Sequence, residues 1–131
     1  MKSSLFLSLL FLVCGAAFGQ HLSKELVEQK LPGTWVLDHY MIGETSYPPN
    51  AGHEKDRVVY YADHTADSYS GDTMLKVAWA YDESKGVLTI SEQEKNFLIT
   101  MYVISIEEKE AVMQIEYPGG KNYRTFWKPL Q

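Results

Sequence analysis

The stretch from Leu75 to Asp82 constrains this chain more than any other. Leu75, Val77, Trp79 and Tyr81 alternate with Lys76, Ala78, Ala80 and Asp82. A two-residue period puts all four large apolar side chains on one side of an extended strand, because successive side chains point to opposite faces. A helix would scatter them around its circumference. Further runs rich in β-branched and aromatic residues lie at 34–42, 57–62, 65–69, 87–92, 97–106, 111–117 and 122–128. Turn-forming clusters separate them: Asp63-His64, Ser70-Gly71-Asp72, Ser84-Lys85-Gly86, residues 107–110 and Pro118-Gly119-Gly120. None of these breaks can hold the helix that a parallel crossover requires. The sheet is therefore expected to be antiparallel, with strands that follow one another in the chain lying side by side.

Two segments depart from this rhythm. Residues 22–31 read as a short helix, with Leu22, Leu26, Val27 and Leu31 at helical spacing, Ser23 as N-cap and Pro32-Gly33 as the stop. Residues 43–56 form the one long connection, and Tyr47-Pro48-Pro49 excludes helix and central strand there. A connection of this length suits a lid over a site as well as a tolerated surface excursion. Eight sequential antiparallel strands leave two raw edges unless the sheet closes on itself. An eight-stranded antiparallel up-and-down barrel with a short N-terminal helix is the expected fold, with an interior that side chains fill or that holds one small ligand.

Ahead of the helix, Lys2 precedes an apolar run at 5–13 and the small-residue stretch Gly15-Ala16-Ala17-Phe18-Gly19. That is the layout of a secretory signal peptide cut after Gly19, leaving Gln20 first: residues 1–19 as leader, 20–131 as the barrel domain. The run is too short to span a bilayer, which takes about 20 residues, so no transmembrane segment is expected in the domain. The single cysteine, Cys14, follows Val13. A branched residue there suits an ordinary signal core better than a lipid-attachment cut, so periplasm or medium is expected rather than a lipid anchor. With Cys14 in the leader, disulfides, thiol catalysis and cysteine-bound zinc are excluded for the domain. Twelve basic residues against seventeen acidic ones give the full chain a formal charge of −5. A nucleic-acid partner would need the opposite balance.

Gly33-Thr34-Trp35, opening the first strand after a short helix, resembles the G-x-W signature of lipocalins. More closely, Leu31-Pro32-Gly33-Thr34-Trp35, the later Trp79-Ala80-Tyr81 and a last aromatic strand with a basic residue resemble the small exported lipocalin-like domains of Bacteroidetes-type bacteria. The resemblance runs from about Leu31 to Lys128. It implies a calyx for a small lipophilic molecule and makes Gly33, Trp35 and Arg124 structural signature positions, with Arg124, or else Lys128, stacked on Trp35. One departure is Asp63-His64, where such families often have Asp-Gly, so a residue other than glycine must take the bend. Fatty-acid-binding proteins fit less well, since Arg124-Thr125-Phe126 lacks their R-x-Y tyrosine.

Within such a barrel, Trp79, Tyr81, Met101 and Met113 are the expected ligand-lining residues, with Leu75, Val77, Ile115 and Tyr117 as further candidates. If Trp35 faces inward, strict alternation sends Leu37, His39 and Met41 inward too, and His39 becomes the polar member of the lining; an outward or rim histidine is the alternative. No nucleophile motif, metal-binding helix or phosphate loop occurs, so no catalytic residue, metal or cofactor is expected. Asp63, His64, Asp67 and Asp72 cluster around one hairpin, where turns favour aspartate anyway. Glu92, Glu94, Glu107, Glu108 and Glu110 read as solvated turn charges. The competing function is a filled barrel serving as an interaction or structural module of the cell envelope, with no partner legible.

Overall fold

Ser23 starts helix α1 (Lys24–Lys30): its hydroxyl oxygen accepts from the Leu26 amide at 3.1 Å, while Glu25 and Lys30 complement the helix dipole at either end. The apolar stripe of α1 buries Val27 and, just past its C-terminus, Leu31, both with no residual exposure. Gly33 then takes a φ of 137°, a backbone conformation open to glycine, and this swings the chain from helix into strand. The structure, a computed structural model, describes residues 21–92, 97–116 and 122–130. The leader with Cys14 and Gln20, and also Glu94, Tyr117 and the Pro118-Gly119-Gly120 turn, lie outside the described residues.

Nine strands follow: β1 (Gly33–Ile42), β2 (Thr45–Tyr47), β3 (Arg57–Tyr60), β4 (Thr65–Ser70), β5 (Thr73–Asp82), β6 (Val87–Glu92), β7 (Phe97–Ile106), β8 (Ala111–Glu116) and β9 (Asn122–Pro129). They pair in the order β2-β1-β3-β4-β5-β6-β7-β8-β9, and a further β1–β9 ladder closes the ring. All strands but β2 thus make a closed antiparallel barrel. β2 was not legible as a strand: three residues ahead of Pro48-Pro49 show no alternation. It folds back on the end of β1 through the pairs Ile42–Thr45 and Tyr40–Tyr47.

Inner and outer faces follow from the ladders, since residues directly opposite share a face. Val77 faces Ala66, Trp79 faces Ile90 and Tyr81 faces Leu88, and all six are buried. The alternation at 75–82 therefore does mark the interior side. Full burial of a large apolar side chain is worth about 1.5–3 kcal/mol, so this shared interior is the main stabilising term. Two bulges interrupt the pattern. In β1 the register shifts between Leu37, opposite Trp127, and His39, opposite Phe126, so Asp38 is an extra residue. In β7 it shifts between Val103 and Ser105.

The bulge at Asp38 corrects the expectation for His39. Trp35 and Leu37 face inward, but beyond Asp38 the parity reverses. Tyr40 then opposes the buried Thr125, while His39 and Met41 stand on the outer face. His39 stacks on Phe126 with ring centroids 4.3 Å apart, and its Nδ1 donates to Asp38 Oδ2 at 2.7 Å. Lys128 Nζ lies 3.1 Å from Asp38 Oδ1. The His39 hydrogen bond, followed by that of Lys128, holds the Asp38 carboxyl below its usual pKa.

Candidate functional site

The barrel interior has a filled half and a hollow half. Toward the end covered by α1, Trp35, Trp79, Tyr81 and Leu88 are buried with Val27 and Leu31 in a core cluster that runs on to the cavity wall. Every large ring there finds a backbone carbonyl for its polar atom. Trp35 Nε1 donates to Leu31 O at 2.9 Å, Trp79 Nε1 to Tyr61 O at 3.0 Å, and the Tyr81 hydroxyl to Leu22 O at 2.7 Å. His64 secures the helix from the barrel side. It is the single non-glycine residue with positive φ among the described residues, at 72°, as the departure from Asp-Gly requires. Its Nε2 donates to Glu28 Oε2 at 2.6 Å, and its ring lies 4.5 Å from that of Trp79.

The other half holds a cavity of about 390 Å³ that opens at the rim beside β3 and β4. That is within the range of about 300–1,000 Å³ typical of small-molecule sites. Its wall is mostly aliphatic, from Leu75, Val77, Ile90, Ile99, Met101 and Ile115, with the aromatic rings of Tyr60 and Trp127. Five hydroxyl-bearing residues border it: Tyr60, Ser68 and Thr125 from inward positions, with Tyr69 and Ser70 at the end of β4. Thr125 is the one buried polar residue in the described interior, and its Oγ1 accepts from Trp127 Nε1 at 2.8 Å. Its own proton is left to donate elsewhere. The Tyr60 hydroxyl makes no hydrogen bond among the described residues. Burial pushes its pKa well above the usual phenol range, so it stays a neutral donor. The Tyr60 ring meets Trp79 edge-on at 6.2 Å, which sets it at the boundary between the two halves.

The rim beside β3 is organised by Asp56. Its Oδ1 accepts from the Gly71 amide and its Oδ2 from His53 Nδ1, both at 2.9 Å. These bonds pin the 43–56 connection to the β4–β5 turn. Next to it, the Arg57 guanidinium lies 4.0 Å over the ring of Tyr69, and Asp56, Arg57 and Tyr69 all border the cavity.

Of the residues nominated from the sequence, Met101 stands on the cavity wall, together with Leu75, Val77 and Ile115. Trp79, Tyr81 and Met113 face inward and are buried in the core, but they are not among the residues that line the cavity. Arg124 is also corrected. It pairs with Met41 and Gln114 on the outer face, donating from Nε to Gln114 Oε1 at 2.9 Å, far along β1 from Trp35. Lys128, its substitute, is the partner of Asp38. Tyr60, Ser68, Ile90, Ile99, Thr125 and Trp127 were missed as site residues. The alternation Thr125–Trp127 was the available signal for two of them.

Glu92, read as a turn charge, ends β6 with the inner parity of Leu88 and Ile90, and its Oε2 is shut off from water without a hydrogen-bond partner among the described residues. The acidic hairpin is engaged within itself: Asp63 Oδ1 accepts from the Thr65 hydroxyl and Asp67 Oδ2 from the Tyr61 hydroxyl. Among the described residues no group of three His, Cys, Asp or Glu side chains converges as a metal site would. No helix among them is long and apolar enough to cross a membrane. Searches of protein-family models, of curated proteins and of solved structures gave no match to the chain.

Proposed function

We propose that this protein is an exported, lipocalin-like up-and-down barrel that binds one small apolar or amphipathic molecule in the hollow half of its interior. The observation that carries this function is the mostly apolar cavity of about 390 Å³ on the inner side of a closed barrel. Burial of the ligand's apolar surface supplies affinity, and a few hydroxyls set its orientation. The Tyr60 hydroxyl, unpaired among the described residues, is the first such group, and the free proton of Thr125 the second. The apolar run at 5–13 followed by Ala17-Phe18-Gly19 supports export, and Gly33-Thr34-Trp35 supports the family resemblance.

The test is native mass spectrometry of protein purified from its source, with titration of a neutral lipophilic probe, N-phenyl-1-naphthylamine, into the delipidated chain. The expected results are a reproducible added mass and saturable quenching of Trp fluorescence, since Trp127 is on the cavity wall. A bare polypeptide mass with no quenching overturns this function. A second function, an interaction module, is favoured by one observation: the outer face of β7 exposes Leu98 at 64% and Ile104 at 41%.

A further inference from the structure

We infer that the chain carries a second binding site, at the α1 end of the barrel, for a hydrophobic cation: an ammonium or guanidinium head on a short apolar body. The site is a recess of about 340 Å³ between the end of α1, the start of β1, the β7–β8 turn and the end of β9. It shares no lining residue with the barrel cavity, so it stands apart from the function proposed above.

The apolar body follows from the wall. α1 covers this end only in part, and Pro32, Trp35, Pro129 and Leu130 line what it leaves open. Trp35 has already given its one donor to Leu31 O, so it offers the recess carbon surface alone. Leu130 is 60% exposed, yet its amide donates to Thr34 O at 3.0 Å. A fixed backbone thus holds an apolar side chain in water at the mouth of an apolar hollow. Covering it gains transfer free energy with little chain left to order. The volume lies at the lower end of the range of about 300–1,000 Å³ for small-molecule sites, which suits one ring or one long side chain.

The charge follows from the turn. Glu107 and Glu108 border the recess, whereas Lys109 and Glu110 of the same turn do not. Among the described residues neither carboxylate has an ion pair or a side-chain hydrogen bond. The Glu107 amide donates to Glu110 O at 2.8 Å, which shapes the turn without using either carboxylate. The one cation of the lining, Lys30, ends α1 and is equally unpaired. It repels a positive head from the helix side and leaves the turn side as the place for it. Two carboxylates against one ammonium make the recess net negative, with the same sign as the full chain's formal charge of −5. That field draws a cation to the mouth and turns an anion away.

Probes of nearly equal size that differ in the head decide this: phenethylamine, 2-phenylethanol and phenylacetate, titrated into the nitrogen-15-labelled full chain at neutral pH and low salt. The readout is the indole N–H resonances. The chain has three tryptophans, and each reports one place: Trp35 the recess, Trp127 the barrel cavity and Trp79 the core. Trp79→Phe and Trp127→Phe assign the three signals. Phenethylamine is expected to shift the Trp35 resonance with a Kd about fivefold below that of 2-phenylethanol, the scale of exposed ion pairs, and phenylacetate to bind most weakly. Added salt should remove that preference. In the double variant Glu107→Gln, Glu108→Gln the preference should vanish while 2-phenylethanol keeps its wild-type Kd, which shows that the recess is intact. N-acetyl-arginine amide separates two sources of the same chemistry. Binding as tight as that of phenethylamine supports a basic side chain of a partner protein, and weaker binding supports a free amine. Phenylacetate binding as tightly as phenethylamine overturns the charge assignment, and so does a preference that survives the double variant. If no probe moves the Trp35 resonance, or phenethylamine moves that of Trp127 alone, the second site itself falls. The barrel-cavity function stands or falls separately, on N-phenyl-1-naphthylamine.

Discussion

The two ends of this barrel are made from the same strands and the same residue types, yet one is solid and the other hollow. At the α1 end, three large rings each bring a polar atom to a backbone carbonyl within 3.0 Å, and two aliphatic residues of the helix segment fill the space between them. At the other end the rings of Tyr60 and Trp127 leave a void, and the Tyr60 hydroxyl has no partner among the described residues. The difference comes from the cover. A strand alone contributes one side chain every second residue to the interior. The extra layer at the α1 end comes from Val27 and Leu31, which the helix carries over the opening. An eight-stranded ring is just wide enough to need such a plug, and without one it leaves room for a guest.

The strongest way to break this comparison is to remove a ring from each half. Trp79→Ala should cost about 3–5 kcal/mol in urea unfolding and leave probe affinity per folded molecule close to wild type. If Trp79→Ala lowers probe affinity with little loss of stability, the assignment of Trp79 to the filled half is wrong. Trp127→Ala, on the cavity wall, should cost about 1–2 kcal/mol, because its ring already borders empty space, and should weaken probe binding. The plug itself can be loosened at its hinge. Ser23→Ala removes the cap of α1 and should cost about 1 kcal/mol without altering the cavity, as measured by unfolding and by probe titration side by side.

The converse is to fill the void. Ser68→Leu removes a hydroxyl that has no described partner and adds bulk where there is room, so stability should hold or rise by up to about 1 kcal/mol while probe binding is lost. Retained binding would mean that the probe sits elsewhere. The smallest effect lies in alkali. The folded-state pKa of Tyr60 is raised above its ordinary value of 10.0. Below that value both states hold the proton; above it the unfolded chain releases it while the fold does not, so stability falls as pH rises. Urea midpoints between about pH 9 and pH 11 should fall less steeply in Tyr60→Phe than in the wild type. Part of the slope should remain, since burial, followed by the charges of Glu83 and Asp82, also raises the Tyr81 pKa.

Period two made the interior side of β5 legible and made closure the economical answer to raw edges. It also led to Met101, Leu75, Val77 and Ile115. What alternation does not carry is height along the barrel axis. Trp79 and Val77 have the same parity, yet one belongs to the plug and the other to the cavity wall, because depth depends on ladder register and on where α1 lies. Nor does alternation survive an inserted residue. Asp38 is an ordinary polar position in a strand-like run, and nothing local marks it as the bulge that turns His39 outward.

The β1–β9 ladder has a consequence for how this chain reaches its fold. Most other ladders join segments a few residues apart and can form early and cheaply. This one joins residues 35–42 to 123–129, nearly the whole length of the domain. Loop-closure entropy makes such a pairing slow, so sealing the ring is the natural candidate for the rate-limiting event. Until it happens, β1 and β9 are two open edges with complementary partners on every other copy. The same ladder that finishes one molecule could then link two by strand exchange, and protein concentration during refolding would decide between the outcomes.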